Sequence, residues 1–181
     1  FSHYYLTDTK TLEQSLSKLG FGLDQITDVF LSHLHFDHCG GAVKWNSDRT
    51  KLETVFKNAI YWSTENHWKW ATEPNAREKA SFLSENILPL QESGQLKFVE
   101  RTGNYTPSVF DNFDVLFVDG HTESMMVPHI HYQDKTLVFM ADLLPSTGHI
   151  PLPYVMGYDT RPLITLGEKG AFLETAATKE L

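Results

Sequence analysis

The chain has 181 residues, 41% of them hydrophobic and 21% charged, with a formal net charge of −8. That length is enough for one domain with a sizeable core, and an acidic balance without runs of Lys and Arg excludes a general nucleic-acid binder, which needs clustered cations to neutralise phosphates. No uninterrupted apolar run is long enough to span a bilayer, and the single cysteine, Cys39, excludes an internal disulfide and favours a reducing, cytoplasmic setting.

Along the chain, Leu12, Leu16 and Leu19 recur at helical spacing, with Gly20 and Gly22 ending that helix. The apolar run from Ile26 to Leu31 predicts a buried strand. It leads into His33-Leu34-His35-Phe36-Asp37-His38-Cys39-Gly40-Gly41, where four side chains able to bind a metal fall within six residues. Neutral imidazoles with a carboxylate suit zinc or a similar first-row divalent ion. In extended backbone, His33 and His35 point to one side and reach one ion together, while Leu34 and Phe36 face a core. Asp37 and His38 then follow at a turn and address a second point in space. Gly40-Gly41 allows a tight bend and close packing beneath the site. Cys39 is expected to be a small buried filler.

Ala59 to Trp62 predicts a short strand, followed by a helix from about Thr64 and a polar helical stretch to Leu90. Trp62, Trp68 and Trp70 are expected to fill core and edge positions, and His67 to pack or lie at the surface. Leu96–Val99 and Phe113–Val118 are strand candidates, and Met125–Tyr132 and Lys135–Met140 flank a hairpin turn at Gln133-Asp134. His129 and His131 mimic the first motif but have no acidic residue following them, so a solvent-facing pair is expected. Pro145, Pro151 and Pro153 fix an irregular loop that carries His149, a candidate substrate-binding residue. Thr165-Leu166-Gly167-Glu168 has capping-box spacing, ahead of a helix face at Phe172, Leu173, Ala176 and Ala177. Pattern alone describes a mixed α and β domain.

The metal-ligand motif resembles the signature of the metallo-β-lactamase superfamily, H-x-H-x-D-H after a strand. Two later stretches are similar to that family in the same order: Val115 to Thr122, with Gly120-His121-Thr122 after a strand, and Thr136 to Asp142, a strand ending in aspartate. The resemblance implies an α/β fold of four layers, αββα, with two sheets face to face between outer helices. It implies one domain over residues 1–181, incomplete at both ends. His33, His35 and His121 would hold one metal; Asp37, His38 and Asp142 would hold a second, with Asp142 bridging. The implied cofactors are two divalent ions, Zn2+ first, with Fe or Mn as alternatives.

The implied activity is that of a metal-dependent hydrolase of small molecules, cleaving an ester, lactone, thioester or related bond with a metal-activated hydroxide. Asp37 would be its catalytic carboxylate, orienting the nucleophile and passing a proton. The segment Leu143 to Pro151 is similar to the lactonase and organophosphate-hydrolase-like branch. Asp119 is either an acceptor behind a ligand imidazole or an ordinary polar strand end. The family takes a last histidine from a further strand, and none follows His149, so the chain is expected to be an internal portion of a longer protein. Two other readings use the same ligands: an iron-dependent redox enzyme of the persulfide dioxygenase kind, and a non-catalytic metal-binding module.

Overall fold

The computed structural model describes residues 10–179. In chain order they form α1 (Leu12–Lys18), β1 (Asp28–Phe30), α2 (Phe36–Cys39), β2 (Val43–Trp45), β3 (Leu52–Thr54) and β4 (Ile60–Ser63). There follow α3 (Glu65–Thr72), α4 (Ser84–Glu92), β5 (Leu96–Phe98), β6 (Tyr105–Phe110), β7 (Phe113–Val118), β8 (Met125–Tyr132), β9 (Lys135–Val138) and α5 (Pro162–Lys179). Strands β1, β4 and β5 make a parallel sheet in the order β1-β4-β5, β2 and β3 form a separate antiparallel pair, and β6 to β9 form an antiparallel meander.

Side chains alternate across each strand, and that alternation sorts the residues into layers. Val29 and Tyr61, paired in register, join a cluster with Leu34, Trp68, Ile87 and Leu90 on the helical side. The next pair, Phe30 and Trp62, joins Val115, Phe117 and Met126 of the second sheet. That sheet turns Val118, Met125 and Val127 the other way, onto Phe172 and Leu173 of α5. The result is the expected order of helix, sheet, sheet and helix. None of the helices is long and apolar enough to cross a membrane among the described residues.

β1 covers only three residues, and the metal motif is not an extension of it: after Leu31 donates to Trp62 O at 3.1 Å, the chain leaves the sheet. His33 to His35 form a loop and Phe36–Cys39 one helical turn, so the histidines are juxtaposed by loop contacts rather than by strand pleat. The stretch from 64 to 90 is two helices, because α3 ends at Thr72 and α4 begins at Ser84. β9 stops at Val138, two residues before Met140, and the strands β2, β3 and β6 carry no clear sequence signal.

Thr165 does not cap a helix, because α5 begins at Pro162, where the missing N–H costs nothing. Glu168 instead accepts from Asp119 N at 2.7 Å and Gly120 N at 3.0 Å. His129 is buried, 6% exposed, against the rings of Tyr105 and Phe172. Only His131 is exposed, and its Nε2 lies 2.7 Å from Asp114 Oδ2 on the neighbouring strand β7. A Cβ at Gly41 would meet open space, so no close packing requires that glycine.

The loop of the metal motif is held from α3. Thr64 caps that helix by accepting from His67 N at 3.0 Å. His67, 1% exposed, accepts from Leu34 N at 2.8 Å through Nε2, and its Nδ1 donates to Glu123 O at 2.5 Å. One neutral ring thus ties the loop after β1 to the loop after β7. Cys39 Sγ donates to Leu34 O at 3.3 Å, and burial pushes its thiol up to about 12, so it is an inert filler as expected.

Burial, the largest influence, lowers the His67 pKa to about 4, so the unfolded chain takes up a proton well before the folded one. This contribution to stability is complete above about pH 6.5 and is lost as pH falls toward about 4. Urea unfolding of chelated protein should show that loss, and His67→Gln should lower stability at neutral pH while reducing the acid slope by about one proton. The loop around Gly120 abuts α5, and a Cβ there would lie 2.6 Å from Thr165 Cα. Gly120→Ala should therefore cost about 3 kcal/mol through overpacking, read as a lowered urea midpoint with little change in m.

Candidate metal centre

Three loops at one end of the two sheets bring the ligand-type residues together. The loop after β1 carries His33 and His35, α2 carries Asp37 and His38, the loop after β7 carries His121, and the segment after β9 carries Asp142. Ala141, just before Asp142, has φ 43°. Left-handed backbone at alanine is strained by about 1 kcal/mol or more, and here it turns the chain so that Asp142 faces the histidines.

His35 Nδ1 and His121 Nε2 lie 3.2 Å apart, and Asp142 Oδ2 is 3.3 Å from that same His121 nitrogen. His33 Nε2 is 4.0 Å from Asp142 Oδ2. The other carboxylate oxygen, Oδ1, is 3.2 Å from His38 Nε2. Two ligand groups result, His33–His35–His121 and His33–His38–Asp142, each with its ligand atoms within 4.8 Å of one another. Asp142 thus presents one oxygen to His121 and the other to His38. Asp37 stands at the margin, 58% exposed in its side chain, with Oδ2 3.6 Å from His38 Nε2.

The outer nitrogen of each buried histidine is engaged. His33 Nδ1 lies 3.2 Å from Ser32 Oγ, His35 Nε2 3.4 Å from Glu78 Oε1, and His121 Nδ1 3.0 Å from Asp159 Oδ1. A carboxylate behind the ring favours the tautomer whose inner nitrogen carries the lone pair, as at His35 and His121. His33 Nε2 is buried without a hydrogen-bond partner among the described residues. Burial first, then the neighbouring His38, His35 and His121 rings, keep the His33 pKa well below the ordinary value, so that ring is neutral. Burial works against protonation of His38 too, but its hydrogen bond to Asp142 raises its pKa overall. Converging imidazole nitrogens beside a carboxylate fit a divalent metal ion.

Two supporting carboxylates carry no motif. Glu78 accepts from Trp70 Nε1 and Asn75 Nδ2, each at 2.6 Å. Burial alone would raise the Glu78 carboxyl, but its bonds from His35, Asn75 and Trp70 hold it at about 2. Asp159 is wholly buried beside His121. Asp119 plays no such part: Arg101 grips both of its oxygens at 2.8 Å, and Oδ1 also accepts from Ser124 N at 2.9 Å. No spacing rule points to Glu78 or Asp159, since each reaches its histidine across about forty residues of chain.

In front of the cluster is a cavity of about 680 Å³, whose walls include Asp37, Arg77, His121, Asp142, Met156 and Tyr158. His149 is not among its lining residues; its Nδ1 lies 2.8 Å from Ser146 Oγ in the turn Thr147–His149. Trp62, Trp68 and Trp70 are likewise outside it: Trp62 packs between the sheets, Trp68 in the helical-side core, and Trp70 beneath Arg161.

Solved structures share this architecture. A probable metal-dependent hydrolase from Staphylococcus aureus superposes with a TM-score of 0.82 at 23% identity, over 95% of this chain and 58% of that one. AidC, described as a dizinc quorum-quenching lactonase and solved with a product, gives a TM-score of 0.70 at 26% identity, over 95% of this chain and 61% of its own. AiiA from B. thuringiensis, solved with N-decanoyl-L-homoserine at its active site, gives 0.71 at 18% identity, over 97% and 61%. The chain thus spans less than two thirds of the length of these structures. No curated protein matches it by sequence. The family model of the metallo-beta-lactamase superfamily matches residues 6–176, and with the three motifs gathered at one site the chain belongs to that superfamily.

Proposed function

We propose that this protein is a zinc-dependent hydrolase with two metal ions, acting on a lactone, ester or thioester of a small molecule. The observation that carries the reading is the pairing at His33, His35 and His121: the outer nitrogen lies against an oxygen, while the inner one converges on its neighbours. His33, His35 and His121 would hold the first ion, and Asp37, His38 and Asp142 the second, with Asp142 spanning both. The chemistry supplied there is a lowered pKa for water, toward about 7, and polarisation of the scissile oxygen. AidC, a dizinc quorum-quenching lactonase of the same fold, supports both the metal and the substrate class.

The protein's own groups would share the remaining work. Glu78 and Asp159 would orient His35 and His121, turning one ring nitrogen of each toward the cluster. Asp37, exposed at the cavity wall, would take a proton from the attacking water and return it to the departing oxygen. Phe36, Ala80 and Met156 give the cavity an apolar side for the substrate's body. The low cation content and lone buried Cys39 support a small-molecule substrate over nucleic acid, and a cytoplasmic location.

Elemental analysis of purified protein should give about two zinc per chain, and lactone or ester hydrolysis should vanish on chelation and return with zinc. Iron with oxygen consumption, or full activity after complete metal removal, would overturn the reading. Asp37→Ala should cut turnover by about a hundredfold or more while the first metal stays bound; near-normal turnover would remove its catalytic role. Asp159→Ala should weaken metal binding about 10–100-fold, measured by competition with a chromogenic chelator, with the fold retained by circular dichroism.

A further inference from the structure

The cavity before the ligand cluster has one basic side chain of the Lys or Arg type among its described lining residues, Arg77. It sits beside Glu78, the carboxylate that supports His35, and its guanidinium is anchored. Nη2 donates to Gly157 O at 2.8 Å and to Asp159 O at 3.1 Å. A guanidinium has five N–H donors, so these bonds leave the donors on Nη1 and Nε. Neither nitrogen makes a hydrogen bond among the described residues. An anchored head loses little further freedom when it meets a ligand.

The other charged groups of the cavity are acidic. Asp37 and Asp142 belong with the ligand cluster, and Glu78 is occupied by Trp70, Asn75 and His35. The same lining has an apolar part in Phe36, Ala80 and Met156, and Tyr158, 79% exposed, also belongs to it. A molecule lying across this surface meets the ligand cluster at one place and a fixed cation at another.

We infer that Arg77 is a specificity-determining residue that binds an anionic group, a carboxylate or phosphate, on the substrate away from the scissile bond. The inference rests on the hydrolase reading and narrows its substrate to a small ester or lactone with an apolar body and a distal anion. Water adds to the acyl carbon, the acyl C–O bond breaks, and the departing oxygen takes the water's proton. The new acid ionises, and the distal anion on Arg77 is unchanged.

Calorimetric titration of the metal-loaded protein with glutarate and butyrate tests this directly. Each offers one carboxylate to the metal centre, and glutarate alone has a second for Arg77. Wild type should bind glutarate about tenfold more tightly. Arg77→Gln should bring the two affinities together, and Arg77→Lys should keep part of the difference. Loosening of the 157–159 segment alone would weaken both ligands alike and leave their ratio unchanged. Equal affinities in wild type, no binding of either ligand, or an unchanged ratio in Arg77→Gln overturns the inference. In parallel, the mono-4-nitrophenyl ester of glutarate should surpass 4-nitrophenyl butyrate about tenfold in kcat/KM, through KM. Cleavage of neither ester would count against the hydrolase reading, while the calorimetric ratio still decides the role of Arg77.

Discussion

The fold holds several lone pairs and a carboxylate within contact distance of one another. His35 Nδ1 and His121 Nε2 face each other at 3.2 Å, and Asp142 Oδ2 is 3.3 Å from the latter. Such an arrangement is electrostatically costly until a proton or a cation is shared among the donors. Left to relax, the imidazoles would rotate away. They stay because each is tied from behind, by Ser32, Glu78 and Asp159, and because His67 fixes the loop that bears two of them. Much of the surrounding polar network is devoted to holding these groups close together.

The layered core gives those ties something rigid to act against. The inter-sheet cluster around Phe30, Trp62, Val115 and Phe117 fixes β1 and β7 with respect to each other. The loops leaving those two strands carry His33, His35 and His121. Opposite faces of the sheets are covered by α3 and α4 on one side and α5 on the other, and both coverings send a side chain into the site loops: His67 from α3 and Glu168 from α5. Packing and polar positioning are therefore done by the same elements.

Much of this was legible in the chain. The histidine cluster is local, and the Gly120-His121 and Asp142 segments follow apolar runs that read as strands, so the five groups that converge could be named from motif and order. What escaped was whatever depends on contact across distance. Asp159 and Glu78 are ordinary acidic residues in turn-rich segments, and only the folded chain sets them behind His121 and His35. The same blindness misplaced His129, whose burial comes from Tyr105 and Phe172, and left open whether Asp119 backs a ligand imidazole, a part that its bonds to Arg101 pre-empt. Thr165 and Glu168 imitate a cap by spacing, yet Glu168 is spent on backbone amides of another loop.

Helix α5 does more than cover a sheet. Glu168 grips the amides of Asp119 and Gly120, and Lys169 next to it donates to the carbonyls of His149, Pro151 and Tyr154 at 2.9, 3.0 and 2.6 Å. Successive residues of one helix thus brace the loop before His121 and the segment after Asp142. The histidines near the start of the chain depend on α3 instead. The centre is consequently braced from two helices, with His67 joining the loops that bear His33, His35 and His121, so fraying of α5 would slacken the segment after Asp142 and one of the two supports of the His121 loop.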